Sequence, residues 1–459
     1  MKKLISIVLV PALLLTLAGC LSGCKKEQKP LRILYDFSTW NFEQEQVLDE
    51  LRQHLIDCGL PEDFEIEVLS TEDDERKIQL TRIRTEMMAG GGPDVFLSNR
   101  LAYIDALFLM PEKTMKLGLL YPLDDYIEKA QYMDWDRLNP TVMAAGRSEE
   151  YGQVILPLSY TFPMKLFMPE DVAEIPNKDT TWADMLNDET KLLTAVAAIG
   201  CYMDFGDQIS GKTYLAESLG ELADYENNQL LFTEDELLIR MQEIGALLEA
   251  KRNGGFDRIP EFFAVNGMYA WYGDENDDFF GDTISRFGEN GTRRKKTENT
   301  ELTMVPIYSD DGGVTATIQS MAAINANTKR IDDAFLVLDA LMEPEFMAAS
   351  SLFADDHLGS TPVYDDFMTR ENRISAPGID HSKTIPVRIV DKWAMTPSNF
   401  ARYTAARDQI THVIFNDRLT NELNTLSFQS INIFAGYQDG DIEELVHTTY
   451  TRMKRELSE

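Results

Sequence analysis

Apolar and polar residues alternate in two different periods along the first hundred positions. Leu31-Arg32-Ile33-Leu34-Tyr35 has the alternation of a strand, about Glu43 to Cys58 has helical spacing, and Phe64 to Leu69 is a second strand. Ile78, Ile83, Met87 and Met88 then recur at roughly helical intervals, and the run stops at Gly90-Gly91-Gly92-Pro93. The glycines supply the positive φ that a helix end commonly needs, and Pro93 forbids continuation. Val95-Phe96-Leu97 follows as a short buried strand. A βαβαβ order predicts a parallel sheet with right-handed crossovers, covered by helices. Ligands in such sheets bind beyond the carboxyl ends of the strands, so Ser98, Asn99 and Arg100 become site candidates, as do Trp40 and Asn41 after the first strand.

Farther along, Thr233 to Lys251 reads as an amphipathic helix and Asp332 to Met342 as a helix. Helices near Phe400 to Phe415 and Ile442 to Leu457 are expected to close the chain. Pro122 forces an extended entry at Tyr121-Pro122-Leu123-Asp124-Asp125, where Asp124 or Asp125 can cap the next helix.

The extreme amino terminus has a different pattern. Lys2 and Lys3 precede an apolar run from Leu4 to Leu17, too short for a typical membrane span and interrupted by Pro11. Leu17-Ala18-Gly19-Cys20 and Leu21-Ser22-Gly23-Cys24 both look like a bacterial lipobox, whose cysteine is lipidated and becomes the first mature residue. Cys20 ends the apolar run directly and is preferred; Cys24 is the alternative. Residues 1–19 are then a signal peptide and 20–30 a tether. Cys58 and Cys201 are left in the folded part, free to pair or to stay as buried thiols.

Several of these segments together resemble the extracellular solute-binding proteins of ABC importers, in the cluster that contains maltose-binding protein. Ala89-Gly90-Gly91-Gly92-Pro93-Asp94-Val95-Phe96 after an amphipathic helix is similar to the family's hallmark. A phosphate loop is the competing reading of the glycines, but no Lys-Ser or Lys-Thr follows, and the segment leaves a helix instead of entering one. Gly118 to Ile127, Tyr151 to Pro157, Thr181-Trp182-Ala183-Asp184-Met185-Leu186, Thr303 to Ile307, Gln319 to Asn325 and Ser360 to Val363 resemble later family segments in the same order. The resemblance implies an α/β, two-lobed periplasmic-binding-protein-like fold with discontinuous lobes joined by a hinge. Residues 31–158 with 318–358 would form one lobe, and 159–317 with 359–459 the other. Leu158 to Phe162 would be the hinge and Met164 to Met168 the first strand of the second lobe. Phe279 to Thr300 and Arg370 to Trp393 match nothing in the family.

The function implied is capture of a small polar solute, a sugar or oligosaccharide, and its delivery to permease subunits of the importer. The chain would be a monomer held by its lipid on the extracellular face of the cell membrane. No cofactor is implied. Tyr160 in the hinge, and Trp271 with Tyr272 in an aromatic segment resembling the family's second lobe, join Trp40, Asn41, Asn99 and Arg100 as ligand candidates. Aromatic rings suit the apolar faces of sugars while amides and charges take the hydroxyls. Packing is the competing reading for Tyr160 and Trp271.

Charge and chemistry narrow the alternatives. With 43 basic against 77 acidic residues, the net charge of −34 argues against a nucleic-acid or anionic-membrane partner. The basic knot Arg293-Arg294-Lys295-Lys296 reads as a solvated loop. Five scattered histidines offer no ligand pair for zinc, and no Gly-x-Ser-x-Gly elbow occurs. Asp274 to Asp278 has calcium-like oxygen spacing, but Phe279 and Ser285 stand where an EF-hand loop needs glycine and glutamate. An enzyme is therefore not expected. The alternatives kept are a surface-anchored glycoside hydrolase and a binding protein for peptides or other polar solutes.

Overall fold

The computed structural model describes residues 29–37, 44–99, 106–167, 201–204, 209–211, 215–252, 263–266, 303–306, 308–309, 311–350, 352–353, 361–364, 372–379, 386–393, 397–436 and 438–458. The amino-terminal part follows the expected order: β1 (Leu31–Asp36), α1 (Gln44–Asp57), β2 (Phe64–Val68), α2 (Asp73–Met88) and β3 (Val95–Ser98). β1 pairs in parallel with both β2 and β3. Gly90 and Gly92 have φ of 79° and 99°, so the turn out of α2 is one that a side chain would strain. Asn325 fastens it by donating from Nδ2 to the Gly91 and Pro93 carbonyls, both at 2.8 Å. Asp94 accepts from the Arg32 N–H at 2.9 Å and from the Thr328 hydroxyl at 2.6 Å. Asp94, at the heart of the hallmark segment, is thus a brace between β1 and the turn after the long central strand.

That central strand is β8 (Val314–Ile324). Between β3 and it lie α3 (Pro111–Lys116), β4 (Ile155–Thr161), β5 (Pro163–Phe167), α4 (Leu215–Leu219), α5 (Glu234–Arg252), β6 (Phe263–Asn266) and β7 (Thr303–Pro306). After it come α6 (Ile331–Leu341), β9 (Thr361–Pro362), α7 (Pro397–Arg407), β10 (Ile410–Phe415), α8 (Arg418–Ala435) and α9 (Ile442–Ser458). Seven strands make one sheet in the order β9-β4-β8-β3-β1-β2, with β10 also on β8. A second sheet sets β5 between β6 and β7, all antiparallel. Only Phe162 separates β4 from β5, so the chain passes from one sheet to the other almost without a turn.

Two cores result. One fills both faces of the large sheet and includes Ile33, Leu51, Ile83, Phe96, Leu156, Ile318 and Leu338. The other lies among α4, α5, α8 and α9 and includes Leu237, Met241, Leu419, Leu426, Val446 and Met453. α5 begins with a reciprocal cap: Thr233 Oγ1 accepts from the Glu236 N–H at 3.2 Å, and Glu236 Oε2 accepts from the Thr233 N–H at 2.7 Å.

Several sequence expectations are corrected. Residues 400–415 are not one helix, because α7 ends at Arg407 and Ile410–Phe415 is a strand; its β-branched residues favour a pleated surface. α8 was not anticipated, although Asp417 caps it and Gly436, with φ of 78°, ends it. On α2 the buried face is Arg76, Leu80, Ile83 and Met87, while Ile78 and Met88 lie exposed. Asp124 does not cap the short helix that starts there; its carboxylate takes the Arg147 guanidinium at 2.7 Å and the Gln153 N–H at 3.2 Å. Of the two readings left open for Cys58, the structure has the free thiol, half-buried and 3.8 Å from His54 Nε2. Residues 372–379 and 386–393, which had no assignment, pair as an antiparallel ribbon.

Candidate functional site

The register of β8 defines a place where two sets of strand ends meet. On one of its edges β3 runs antiparallel, with Ser98 opposite Met321. On the same edge β10 runs parallel, with Phe415 opposite Ile318. The carboxyl ends of β3 and β10 therefore approach each other head to head, with Gln319 and Ser320 of β8 between them. β1 ends beside β3, Asp36 opposite Ser98. Ligands of open α/β sheets bind beyond the carboxyl ends of strands, which makes this junction the candidate site. The ladder between β8 and β4 also shifts register on both sides of Ser320, and such irregularities re-aim side chains near sites.

Polar groups line up at this junction. Asn416, just past β10, donates from Nδ2 to Gln319 Oε1 at 3.0 Å. Gln319 Nε2 donates to the Thr161 hydroxyl at 3.1 Å. Asn416 and Gln319 are both half-buried. Below them, the Ser159 and Ser320 hydroxyls are hydrogen-bonded to each other. Thr317 donates to Glu217 Oε1 of α4 at 3.2 Å.

At the other side, Asp36 and Arg76 form a bidentate pair at 2.7 and 2.8 Å, both side chains nearly out of solvent. Ser98 Oγ is 3.4 Å from Asp36 Oδ2. The pair fixes α2 to the end of β1 and so sets where the segments after β1 and β3 depart. Its charges are mutually satisfied, which makes it framework and not a ligand contact.

A second clamp holds the start of β8. His412 Nε2 meets Asp311 Oδ2, and Asp311 Oδ1 accepts from Ser309 Oγ at 2.5 Å and the Gly313 N–H at 3.0 Å. Burial would raise the Asp311 carboxyl, but the bonds from Ser309, His412 and Gly313 outweigh it and hold it down to about 2. The serine bonds the carboxylate and not the imidazole, so these three residues are not arranged as a nucleophile with its base. Among the described residues, no group of three or more His, Cys, Asp or Glu side chains could hold a metal ion.

Of the residues singled out from sequence, Asn99 sits half-buried at the end of β3, its N–H donating to the Asp36 carbonyl at 3.2 Å. Tyr160 is fully buried on β4, its ring 6.1 Å from Phe162 and its hydroxyl 3.4 Å from that of Tyr403. Trp40, Asn41, Arg100, Trp271, Tyr272 and Cys20 lie outside the described residues, as do Cys24 and the acidic segment 274–278. Gln319 and Asn416 were not singled out. Asn416 obeys the same strand-end rule as Asn99 and would have been found had Ile410–Phe415 been read as a strand.

No protein-family model matches this sequence, and no curated protein does. Solved structures do match it in fold. A periplasmic oligogalacturonide-binding protein from Yersinia enterocolitica superposes with a TM-score of 0.50 at 14% identity, over 94% of this chain and 99% of that one. An extracellular solute-binding protein family 1 structure from Alicyclobacillus acidocaldarius gives 0.48 at 12% identity, over 94% and 100%. A cyclic alpha-maltosyl-1,6-maltose binding protein from Arthrobacter globiformis gives 0.47 at 15%, over 93% and 98%. The first of these carries the argument, and what it carries is the fold.

Proposed function

We propose that this chain, folded as the extracellular solute-binding proteins are, captures a small polar solute at the junction on β8 and delivers it to the permease of an ABC importer. The observation that supports the reading is the meeting of the ends of β3 and β10 at Gln319, with β1 ending beside β3, because it gathers polar side chains on the strand that the proposed lobes would share. The lobes proposed are residues 31–158 with 318–358 and 159–317 with 359–459, the boundaries falling within β4 and β8. A hinge there would let a cleft close over its ligand.

A sugar or oligosaccharide suits the groups present. Half-buried amides at Asn99, Gln319 and Asn416 can exchange hydrogen bonds with hydroxyls, and Trp40 and Trp271 would supply the apolar faces. Asn41, Arg100 and Tyr272 are further contacts in this reading, and Tyr160 supports the floor from within the core. The oligogalacturonide-binding neighbour makes acidic as well as neutral oligosaccharides sensible probes. No turnover is proposed.

Thermal denaturation of the mature protein against a panel of mono- and oligosaccharides tests this. A ligand at a hundred times its dissociation constant should add about 2.7 kcal/mol of stability, and Trp40→Ala or Gln319→Ala should abolish that gain. A panel containing sugars, amino acids and peptides that leaves the melting temperature unmoved, or a sugar split by the protein during calorimetry, would overturn the reading.

Membrane attachment is proposed through a diacylglycerol thioether at Cys20, two chains being about what stable anchoring needs. Among the described residues no helix is long and apolar enough to cross a membrane. Intact-mass analysis of the membrane-extracted protein is expected to show a lipidated terminus at residue 20; an unlipidated terminus would sink the anchor.

A further inference from the structure

The irregular point of β8 falls on Gln319. Ile318 lies opposite Tyr160 of β4 and Ser320 opposite Ser159, so two steps along β8 match one along β4, and Gln319 has no counterpart there. On the other edge, pairing with β10 ends at Ile318 and pairing with β3 reaches only Met321. A bulged residue of this kind has its side chain re-aimed out of the regular alternation.

The two ends of a primary amide are alike in shape and opposite in hydrogen bonding, so the neighbours decide which way each one faces. Gln319 Nε2 donates to the Thr161 hydroxyl at 3.1 Å and to the Thr317 carbonyl at 3.3 Å. A hydroxyl could serve either end, but a carbonyl can only accept. The Thr317 carbonyl therefore fixes which end of Gln319 is the nitrogen, and leaves Oε1 to face Asn416. Asn416 must answer with Nδ2, which donates to that oxygen at 3.0 Å.

The backbone of Asn416 is pinned as well. Its N–H donates to the Ile318 carbonyl at 3.0 Å, and Asp417 next to it caps α8 by accepting from the Thr420 N–H at 3.0 Å. Both N–H bonds of the Gln319 amide are engaged within the protein. On Asn416, by contrast, Nδ2 keeps one N–H, and Oδ1 has no hydrogen-bond partner among the described residues, on a side chain that is half-buried.

We propose that Gln319 is a positioning residue that holds the Asn416 amide in one orientation, so that Asn416 meets the solute with Oδ1 and the group received there must be a hydrogen-bond donor. The assignment rests on the solute-binding reading of this junction and adds to it the chemistry of one contact. A hydroxyl or an amino group fits. A carboxylate, an ether oxygen or a fluorine at the same place sets two acceptors against each other with no proton between them. An unrestrained amide would not discriminate in this way, because it could turn its nitrogen toward an acceptor. Turning Asn416 breaks its bond to Gln319 and brings Oδ1 against Oε1. An acidic oligosaccharide bound here therefore has to direct its carboxylates away from Asn416.

Calorimetric titration of the intact mature protein tests this. The probes are the sugar of the panel that stabilises the protein most and its monofluoro analogues, in each of which fluorine replaces one hydroxyl and so removes the proton while keeping the size. In wild type, the analogue altered at the Asn416 contact should bind about tenfold more weakly than the parent. Gln319→Met, which keeps the length of the side chain but not its bonds, should bring that ratio within about threefold while the ratios at other positions stay as they are. Gln319→Glu, which keeps an oxygen toward Asn416, should retain the wild-type ratio. A loss of packing alone would weaken parent and analogues in equal proportion. Ratios that are all unchanged in Gln319→Met, or a ratio that collapses in Gln319→Glu, would overturn the assignment. Should Gln319→Met not fold, exchange of the side-chain amide protons of nitrogen-15-labelled wild type decides. Gln319 protons that exchange more slowly than those of exposed glutamines support it, and exchange at the exposed rate overturns it. A panel in which no sugar binds sinks the solute-binding reading and this assignment with it, whereas binding with unchanged ratios sinks the assignment alone.

Discussion

Asp36→Ala is expected to lower the free energy of unfolding by about 3–5 kcal/mol, because it leaves the Arg76 guanidinium buried without its counter-charge. Both bonds of the pair are short and both side chains are 4% or less exposed. Screening by water, which reduces surface ion pairs to little, therefore does not apply. Urea titration of the mature protein measures the effect, and a loss below about 1 kcal/mol would show that water or a rearranged side chain takes over from Asp36. Replacing both partners by apolar residues of similar volume, Asp36→Leu with Arg76→Met, is expected to recover much of the loss. The double variant then separates two roles. If its stability recovers while ligand-induced stabilisation does not, the ion pair is needed to aim the strand ends at the proposed site.

Asp339→Ala should cost several kcal/mol by a different route. This side chain, buried in the last turn of α6, accepts from three successive N–H groups: Gln131 at 2.8 Å, Tyr132 at 3.1 Å and Met133 at 2.9 Å. Removing the carboxylate leaves donors without a partner, each costing about 1–3 kcal/mol where water cannot reach. Asn keeps one oxygen and should lose less. The loop at 131–134 is otherwise held by the Tyr132 hydroxyl on the Cys58 carbonyl at 2.9 Å and by the Asp134 N–H on the Tyr364 hydroxyl at 3.0 Å. Thermal denaturation together with exchange of the amides of residues 131–133 is the check. Unchanged exchange of those amides in Asp339→Ala would rule out the acceptor role.

The amino-terminal βαβαβ unit was readable because each element there has one clear period and a marked stop. Gly90, Gly92 and Pro93 end α2 whatever the rest of the chain does. Ile410–Phe415 was harder, since six apolar and polar residues between two helical stretches fit either period. What decides it is distant: β8, almost a hundred residues earlier, supplies the edge on which these residues pair. The face of α2 misled for a related reason, because Arg76 counts as polar in any pattern, yet its buried position is paid for by Asp36 on another element. The candidate site divides the same way. Asn99 follows a strand that sequence reveals, whereas Gln319 is a site candidate only through register, which no local pattern encodes. Tyr160, placed at the hinge by resemblance, lies on β4 with its ring turned into the core.

β8 lies between β3 and β4 in the large sheet, so without it that sheet falls into β9-β4, β3-β1-β2 and a lone β10. The residues it joins are far apart in the chain: Val95 pairs with Ile324, and Ile155 with Ala323. At about 5–20 residues per second, roughly 10–45 s of synthesis separate the emergence of β3 from that of its partner. Over that interval β3 and β4 are made but have bare edges, and edges of this kind pair readily with other chains. The long-range closure that creates a shared strand also sets a window in which the nascent chain depends on being shielded.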